Sequence, residues 1–238
     1  MSLADQTFAL PLVAEDRAAM IRDHLRDAIV DRRLAPGTKL NEAEVGTLFD
    51  VSRTVVRAAL QALTFEGLVK SERNRGAFVA YPTPEEARQV FSSRRLIEPG
   101  LALAAAKSIT TSEVAAFRER LHHESLLLNE RGPTARRAEI HASGDFHLLL
   151  AKVAGNAILL RFMEELVARS SLVIALYGRS GASSCGHGDH GGILAALEQH
   201  DGERAAQLVL THIDHIESDL DLRNTSNLPL RDALSALK

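Results

Sequence analysis

Tryptophan is absent from this chain, cysteine occurs once, as Cys185, and aromatic residues make up only 4% of its 238 positions. A lone thiol can neither close an intrachain disulfide nor build a thiolate-rich zinc module, so the fold must be held by its apolar core. No stretch of about 18 apolar residues is available to cross a membrane, and the first residues lack the basic, apolar and small-residue succession of a secretory signal. These absences predict a soluble chain that works in the cytoplasm. Charge is equally unassertive: 28 Lys and Arg against 31 Asp and Glu leave a net charge of -3, which by itself advertises no polyanionic partner.

What is present is organised in two parts, and the length suits domains of about 80 and 150 residues, each with its own core. In VSRTVVRAALQALTFEG (51–67) helical spacing buries Val56, Leu60 and Leu63, while the first turn presents Ser52, Arg53, Thr54 and Arg57. Upstream, LNEAEVGTLFD (40–50) reads as a short helix with Val45, Leu48 and Phe49 on one face, tightly connected through Asp50 and Val51. That is helix-turn-helix spacing. An earlier helix over about 14–33 offers Met20, Ile21, Leu25 and Ile29 as the third wall of the core, and Pro36-Gly37 turns the chain after it. Downstream, Leu68-Val69 and Ala77-Phe78-Val79-Ala80 flank the polar turn from Glu72 to Gly76, a hairpin with a basic tip.

Arginine can pair with guanine edges in the major groove and hydroxyl residues can bind phosphates, so Ser52, Arg53, Thr54, Arg57, Arg75 and Gly76 are the candidate DNA contacts. Gly76 is also a hairpin residue suited to a positive φ, which would let the wing approach a phosphate backbone. Residues 51–82 hold five basic side chains (Arg53, Arg57, Lys70, Arg73, Arg75) against two acids (Glu66, Glu72). The basic surplus is thus local. The alternative for the helical arginines is a solvated face.

In the order LAPGTKLNE, VSRTVVRAALQALTFEGLV and RNRGAFV the chain resembles the winged-helix domain of GntR-type bacterial transcription regulators, over about residues 12–80. Val55 stands where that family often has proline, Ala58 where it often has glutamate, and Ala43 where some members carry a DNA-contacting arginine.

From Thr83 the character changes. Thr83 with Glu86 forms a capping box, Pro84 suits the first helical position, and Thr110 with Glu113 repeats the signature. Helices are predicted at about 84–107, 111–131, 134–154, 157–177, 188–200 and 202–222, and no alternating strand pattern intervenes. The fold class expected is therefore mainly α: an N-terminal winged helix-turn-helix domain followed by an antiparallel all-α bundle of six or seven helices. The expected boundaries are an N-terminal arm (1–11), a DNA-binding domain (12–81), a helical effector and dimerisation domain (82–223) and a C-terminal tail (224–238).

Within the bundle, RRLIEPGLALAAA (94–106), GDFHLLLAKVAGN (144–156) and SSLVIALYG (170–178) resemble the effector domain of the FadR branch of GntR regulators. In many such domains a metal sits on an aspartate, a histidine four residues later, and two further histidines. The resemblance places His147, His190 and His212 at the histidine positions, with Ser143 where the aspartate would be. Three neutral imidazoles form a facial set that suits Zn²⁺, Ni²⁺ or Mn²⁺ and leaves positions open for water or a carboxylate. Asp145 lies two residues from His147 and should face elsewhere, whereas His187 or His215 could replace a ligand three residues away, and His141 is spare. Arg94 is the candidate clamp for an anionic effector, its alternative being an ion pair with Glu98 at i+4. GRSGASSCGHGDHGG (178–192) is expected to be a loop between helices, and its glycines do not match a phosphate-binding pattern.

Two classes of function follow. The favoured one is a homodimeric reader of a pseudo-palindromic DNA operator, modulated by a small organic acid; dimerisation is expected because one helix and wing bury too little surface for tight specificity. A metal-sensing repressor is a variant of it. The other is a three-histidine metal-dependent enzyme, which lacks an evident general base beside the metal and leaves the first domain unexplained.

Overall fold

The computed structural model describes residues 14–127, 130, 132–179 and 185–223. The predicted arm (1–11), the predicted tail (224–238) and residues 180–184 of the glycine-rich segment lie outside the described residues. In chain order the elements are α1 (Ala14–Val30), β1 (Lys39–Leu40), α2 (Glu42–Phe49), α3 (Arg53–Phe65), β2 (Val69–Glu72), β3 (Gly76–Val79), α4 (Pro84–Ser108), α5 (Thr111–Leu127), α6 (Pro133–Val153), α7 (Ala157–Tyr177), α8 (Cys185–Glu198) and α9 (Gly202–Ser218).

Local chemistry sets the helix ends. Asn41 caps α2 by accepting from the Ala43 amide at 2.9 Å, and Ser52 caps α3 by accepting from the Val55 amide at 3.4 Å. The residue between the two helices that reverses the chain is Asp50, held left-handed at φ 50°. At Thr83 the capping box closes in both directions, with Thr83 N donating to Glu86 Oε2 at 2.7 Å and Glu86 N donating to Thr83 Oγ1 at 3.1 Å.

The small sheet is antiparallel throughout, in the order β1-β3-β2, with Leu40 opposite Ala77 and Lys70 opposite Phe78. The two-residue strand β1 was invisible in the sequence, because so short a segment has no periodicity of its own; it exists by pairing with the wing. The first core joins Ile21, Leu25 and Ile29 of α1 to Val56, Leu60 and Leu63 of α3 and to Leu68, Val69 and Val79. The second joins α4 to α9 through residues such as Phe91, Phe117, Phe146, Met163, Ile193 and Val209. Helix α7 serves both, since Ala168 and Leu172 complete the first core while Val167 and Val173 belong to the second.

Two predicted boundaries need correction. The expected loop ends early, because Cys185–Glu198 is helical and takes in residues 185–192. Glycine-rich sequence opposes helix intrinsically, but here His190, Ile193, Leu194 and Leu197 are buried against neighbouring helices, and that packing decides the conformation. Helix α9 ends at Ser218, not 222, because Leu220 forms a bridge with Gly178 and the Asp221 amide donates to Tyr177 O at 2.8 Å.

Candidate functional site

The four helical candidates all lie at the solvent-facing start of α3. Ser52, Arg53, Thr54 and Arg57 are all exposed on the first turns of α3, while Val56, Ala59, Leu60 and Leu63 face inward. Arg57 is bound by Glu42 at the start of α2, its Nε donating to Oε1 at 3.0 Å and Nη2 to Oε2 at 2.7 Å. At the wing tip Arg75 is exposed, pairs with Glu72 and lies 5.4 Å over the Phe78 ring. Gly76 has φ +100°, a conformation that an L side chain rarely adopts, and Lys39 of β1 runs beside it. Lys39 and Glu42 were missed in the sequence, the first because β1 was not foreseen, the second because nothing local links it to Arg57.

In the bundle the structure brings His147 of α6, His190 of α8 and His212 of α9 together, all three buried. Their Nε2 atoms converge: 3.1 Å separates His147 from His212, 3.2 Å His190 from His212, and 3.3 Å His190 from His147. Phe146 stacks on His190 with centroids 4.0 Å apart and the planes inclined by 10°, which fixes that ring. His141 and His215 lie apart from the cluster, against Asp31 and Asp189 respectively; of the His187 and Cys185 side chains nothing is described. Asp145 is exposed, as its helical phase required.

The outward nitrogens explain the convergence. His147 Nδ1 lies 2.7 Å from Glu98 Oε2, His190 Nδ1 lies 3.0 Å from Glu124 Oε2, and His212 Nδ1 lies 3.3 Å from Asp189 Oδ2. The Glu98 contact is close but not aligned as a hydrogen bond, so Glu98 acts on the neutral ring through the field of its charge, which favours the ring proton at Nδ1. A carboxylate at each Nδ1 places the ring proton there and leaves an Nε2 lone pair pointing inward. Three lone pairs so close repel one another until a cation lies between them. Two nitrogens bound to one ion at about 2.0–2.1 Å, at octahedral to tetrahedral angles, stand about 2.9–3.4 Å apart. The observed separations fit a divalent metal.

Electrostatics favour the same state. Burial pushes His147 and His190 well below the usual histidine range, with like charge from Arg94 and His212 adding and Glu98 opposing. Burial would raise Glu98, but Arg94 and His147 overcome it and hold the carboxyl well below its ordinary value. Asp189 is lowered mainly by the His212 hydrogen bond. Neutral His147 and His190, with Glu98 and Asp189 ionised, are in the protonation state a metal requires.

Arg94 meets its alternative partner. Its Nε pairs with Glu98 Oε1, Nη1 donates to Ser170 Oγ at 3.2 Å, and Nη2 is buried without a hydrogen-bond partner among the described residues. Glu98 was legible as the i+4 neighbour of Arg94. Glu124 gave no signal, since it sits in a polar run on α5, and Asp189 was hidden by reading its segment as loop.

A winged helix joined to a helical bundle that encloses a buried histidine cluster is the architecture of a two-domain transcription regulator. The family model for bacterial regulatory proteins of the gntR family matches residues 17–79, and that for the FCD domain matches residues 89–215. The chain belongs to the GntR family and is a DNA-binding transcription regulator with an FCD effector-binding domain, not an enzyme. It is 29% identical to the HTH-type transcriptional repressor RspR of Escherichia coli (strain K12) over 197 residues, 82% of this chain and 85% of RspR. It is 28% identical to the Uxu operon regulator of Haemophilus influenzae over 203 residues, covering 77% and 74% of the two chains. The crystal structure of a GntR transcriptional regulator from Rhodococcus sp. RHA1 superposes with a TM-score of 0.71 at 28% identity, covering 85% of this chain and 96% of that one. No helix among the described residues is long and apolar enough to cross a membrane.

Proposed function

We propose that this regulator binds a pseudo-palindromic operator as a cytoplasmic homodimer and that a small carboxylate, held at a divalent metal, alters its hold on DNA. Ser52, Arg53, Thr54 and Arg57 enter the major groove, and Arg75 and Gly76 meet the flanking backbone. His147, His190 and His212 hold Zn²⁺, Ni²⁺ or Mn²⁺, which when bound supplies open positions for a carboxylate oxygen. The unpartnered Nη2 of buried Arg94 is the protein group suited to a second oxygen of the same effector.

The observation that carries this reading is the place of Ser170. It ties Arg94, and through Arg94 the Glu98–His147 pair, to α7. The same helix lends Ala168 and Leu172 to the winged-helix core. A ligand that changes the packing around Arg94 therefore acts on an element shared with the DNA-binding head. Its effect is limited to the difference in its affinity for the two arrangements.

The test begins with the full chain and a randomised duplex pool, from which preferred sequences are selected. Affinity for the selected duplex is then measured after chelation, after return of each metal, and with a panel of small carboxylates. Dependence on metal and carboxylate together supports the proposal. Dependence on metal alone makes the ion the signal, and indifference to both removes the effector role of the bundle.

A further inference from the structure

The Arg57–Glu42 pair has a handedness that bears on sequence reading. An arginine offers two edges with paired N–H donors, one formed by Nε and Nη2, the other by Nη1 and Nη2. Glu42 occupies the first edge with both carboxylate oxygens, at 3.0 and 2.7 Å. The end-on Nη1/Nη2 fork is left available on a side chain that remains 60% exposed. That fork matches the O6 and N7 acceptors of guanine.

We infer that Glu42 is a positioning residue for base recognition: by holding the Nε/Nη2 edge of Arg57 it presents the opposite edge end-on to a guanine of the operator. This rests on the DNA-reading surface proposed above and goes beyond it in naming the base and the residue that selects it. Two physical effects give the pair its use. A long exposed arginine loses rotamer freedom when it binds, and a carboxylate that has already fixed it removes part of that loss. The same carboxylate, near a surface facing phosphates, disfavours contact with backbone alone, because it reduces the positive charge that drives non-specific association. Glu42 thus raises the reward for the right base and lowers the attraction of any duplex, so specificity grows from both sides. A pair that only tied α2 to α3 would instead support all duplexes equally.

The experiment compares the full-length protein with Glu42→Ala, Glu42→Gln and Arg57→Ala. Each is selected on the same randomised duplex pool, and affinities are measured on the wild-type selected duplex, on that duplex with single G·C pairs replaced, and on an unrelated duplex. The parent should show a guanine preference that disappears in Arg57→Ala. In Glu42→Ala that same preference should fall by about tenfold, within the 1–3 kcal/mol of one bidentate contact, while affinity for the unrelated duplex stays equal or rises. Glu42→Gln, which keeps one acceptor, should fall between. Ratios between duplexes on one protein cancel any loss of folded fraction. Glu42→Ala retaining the full guanine preference, or weakening on every duplex alike, overturns the positioning role while the DNA-reading surface stands. A guanine preference that survives Arg57→Ala removes Arg57 and Glu42 together, and a parent that selects no sequence removes the DNA-reading proposal itself.

Discussion

Arg94 on α4 and Ser170 on α7 are joined by a 3.2 Å hydrogen bond from Nη1 to Oγ, with both side chains buried. One residue before Ser170, Arg169 turns to the other domain: a methyl group placed on Gly67, in the turn after α3, would sit 2.1 Å from Arg169 Cζ. Two consecutive positions of one helix therefore touch the buried polar cluster and the DNA-binding head. Ser170→Ala leaves a guanidinium N–H without its acceptor and should cost about 1–3 kcal/mol of stability. On the proposed coupling it should also shrink the change in DNA affinity produced by metal and carboxylate, read by titrating a selected duplex with and without them. An undiminished response would show that the signal does not travel through this contact.

Glu98→Gln should be far more harmful than its conservative chemistry implies. It leaves the buried Arg94 charge without compensation, which typically costs about 3–5 kcal/mol. Denaturant unfolding of Glu98→Gln, Arg94→Met and the double variant measures the coupling, and the double variant should lose less than the sum of the singles. Additive losses would mean that the pair contributes little beyond volume.

His212→Ala should abolish stoichiometric binding of divalent metal, measured by elemental analysis of the dialysed protein, while helical content persists. In the parent, metal at a hundred times its Kd should add about 2.7 kcal/mol to the folded state, seen as a raised Tm that chelator reverses. Retention of metal by His212→Ala would remove this residue from the ligand set.

Gly67→Ala probes the joint between the domains. Gly67 has φ +74°, where an alanine is strained by about 1–3 kcal/mol, and the added methyl must also displace the Arg169 guanidinium, held by Glu165 at 2.9 Å through Nε. Removing the second effect with Gly67→Ala/Arg169→Ala should restore part of the lost Tm. A double variant no more stable than the single would place the whole penalty in the backbone.

Much of this architecture could be read from the chain because its signals are local. The capping box at Thr83, the alternation of exposed Arg53 and Arg57 with buried Val56 and Leu60, and the Glu72–Gly76 turn each depend on neighbours within a few residues. The three histidines were within reach only through resemblance, since positions 147, 190 and 212 share no periodicity. What remained hidden was long-range. Glu124 meets His190 from 66 residues away, and Glu42 meets Arg57 across the turn between two helices. No pattern in either residue's own segment declares its partner. The glycine-rich stretch misled for the opposite reason: intrinsic propensity spoke for a loop, and the buried flank of α8 overruled it.

The sharing of α7 between two cores has a practical side. Ala168 and Leu172 are walls of the apolar cluster that supports α3, although they lie well into the bundle's sequence. A fragment ending near residue 80 would carry α3 and the wing but leave their underside open to water, forfeiting roughly 1.5–3 kcal/mol for the leucine alone. The head is therefore expected to be less stable on its own than in the full chain.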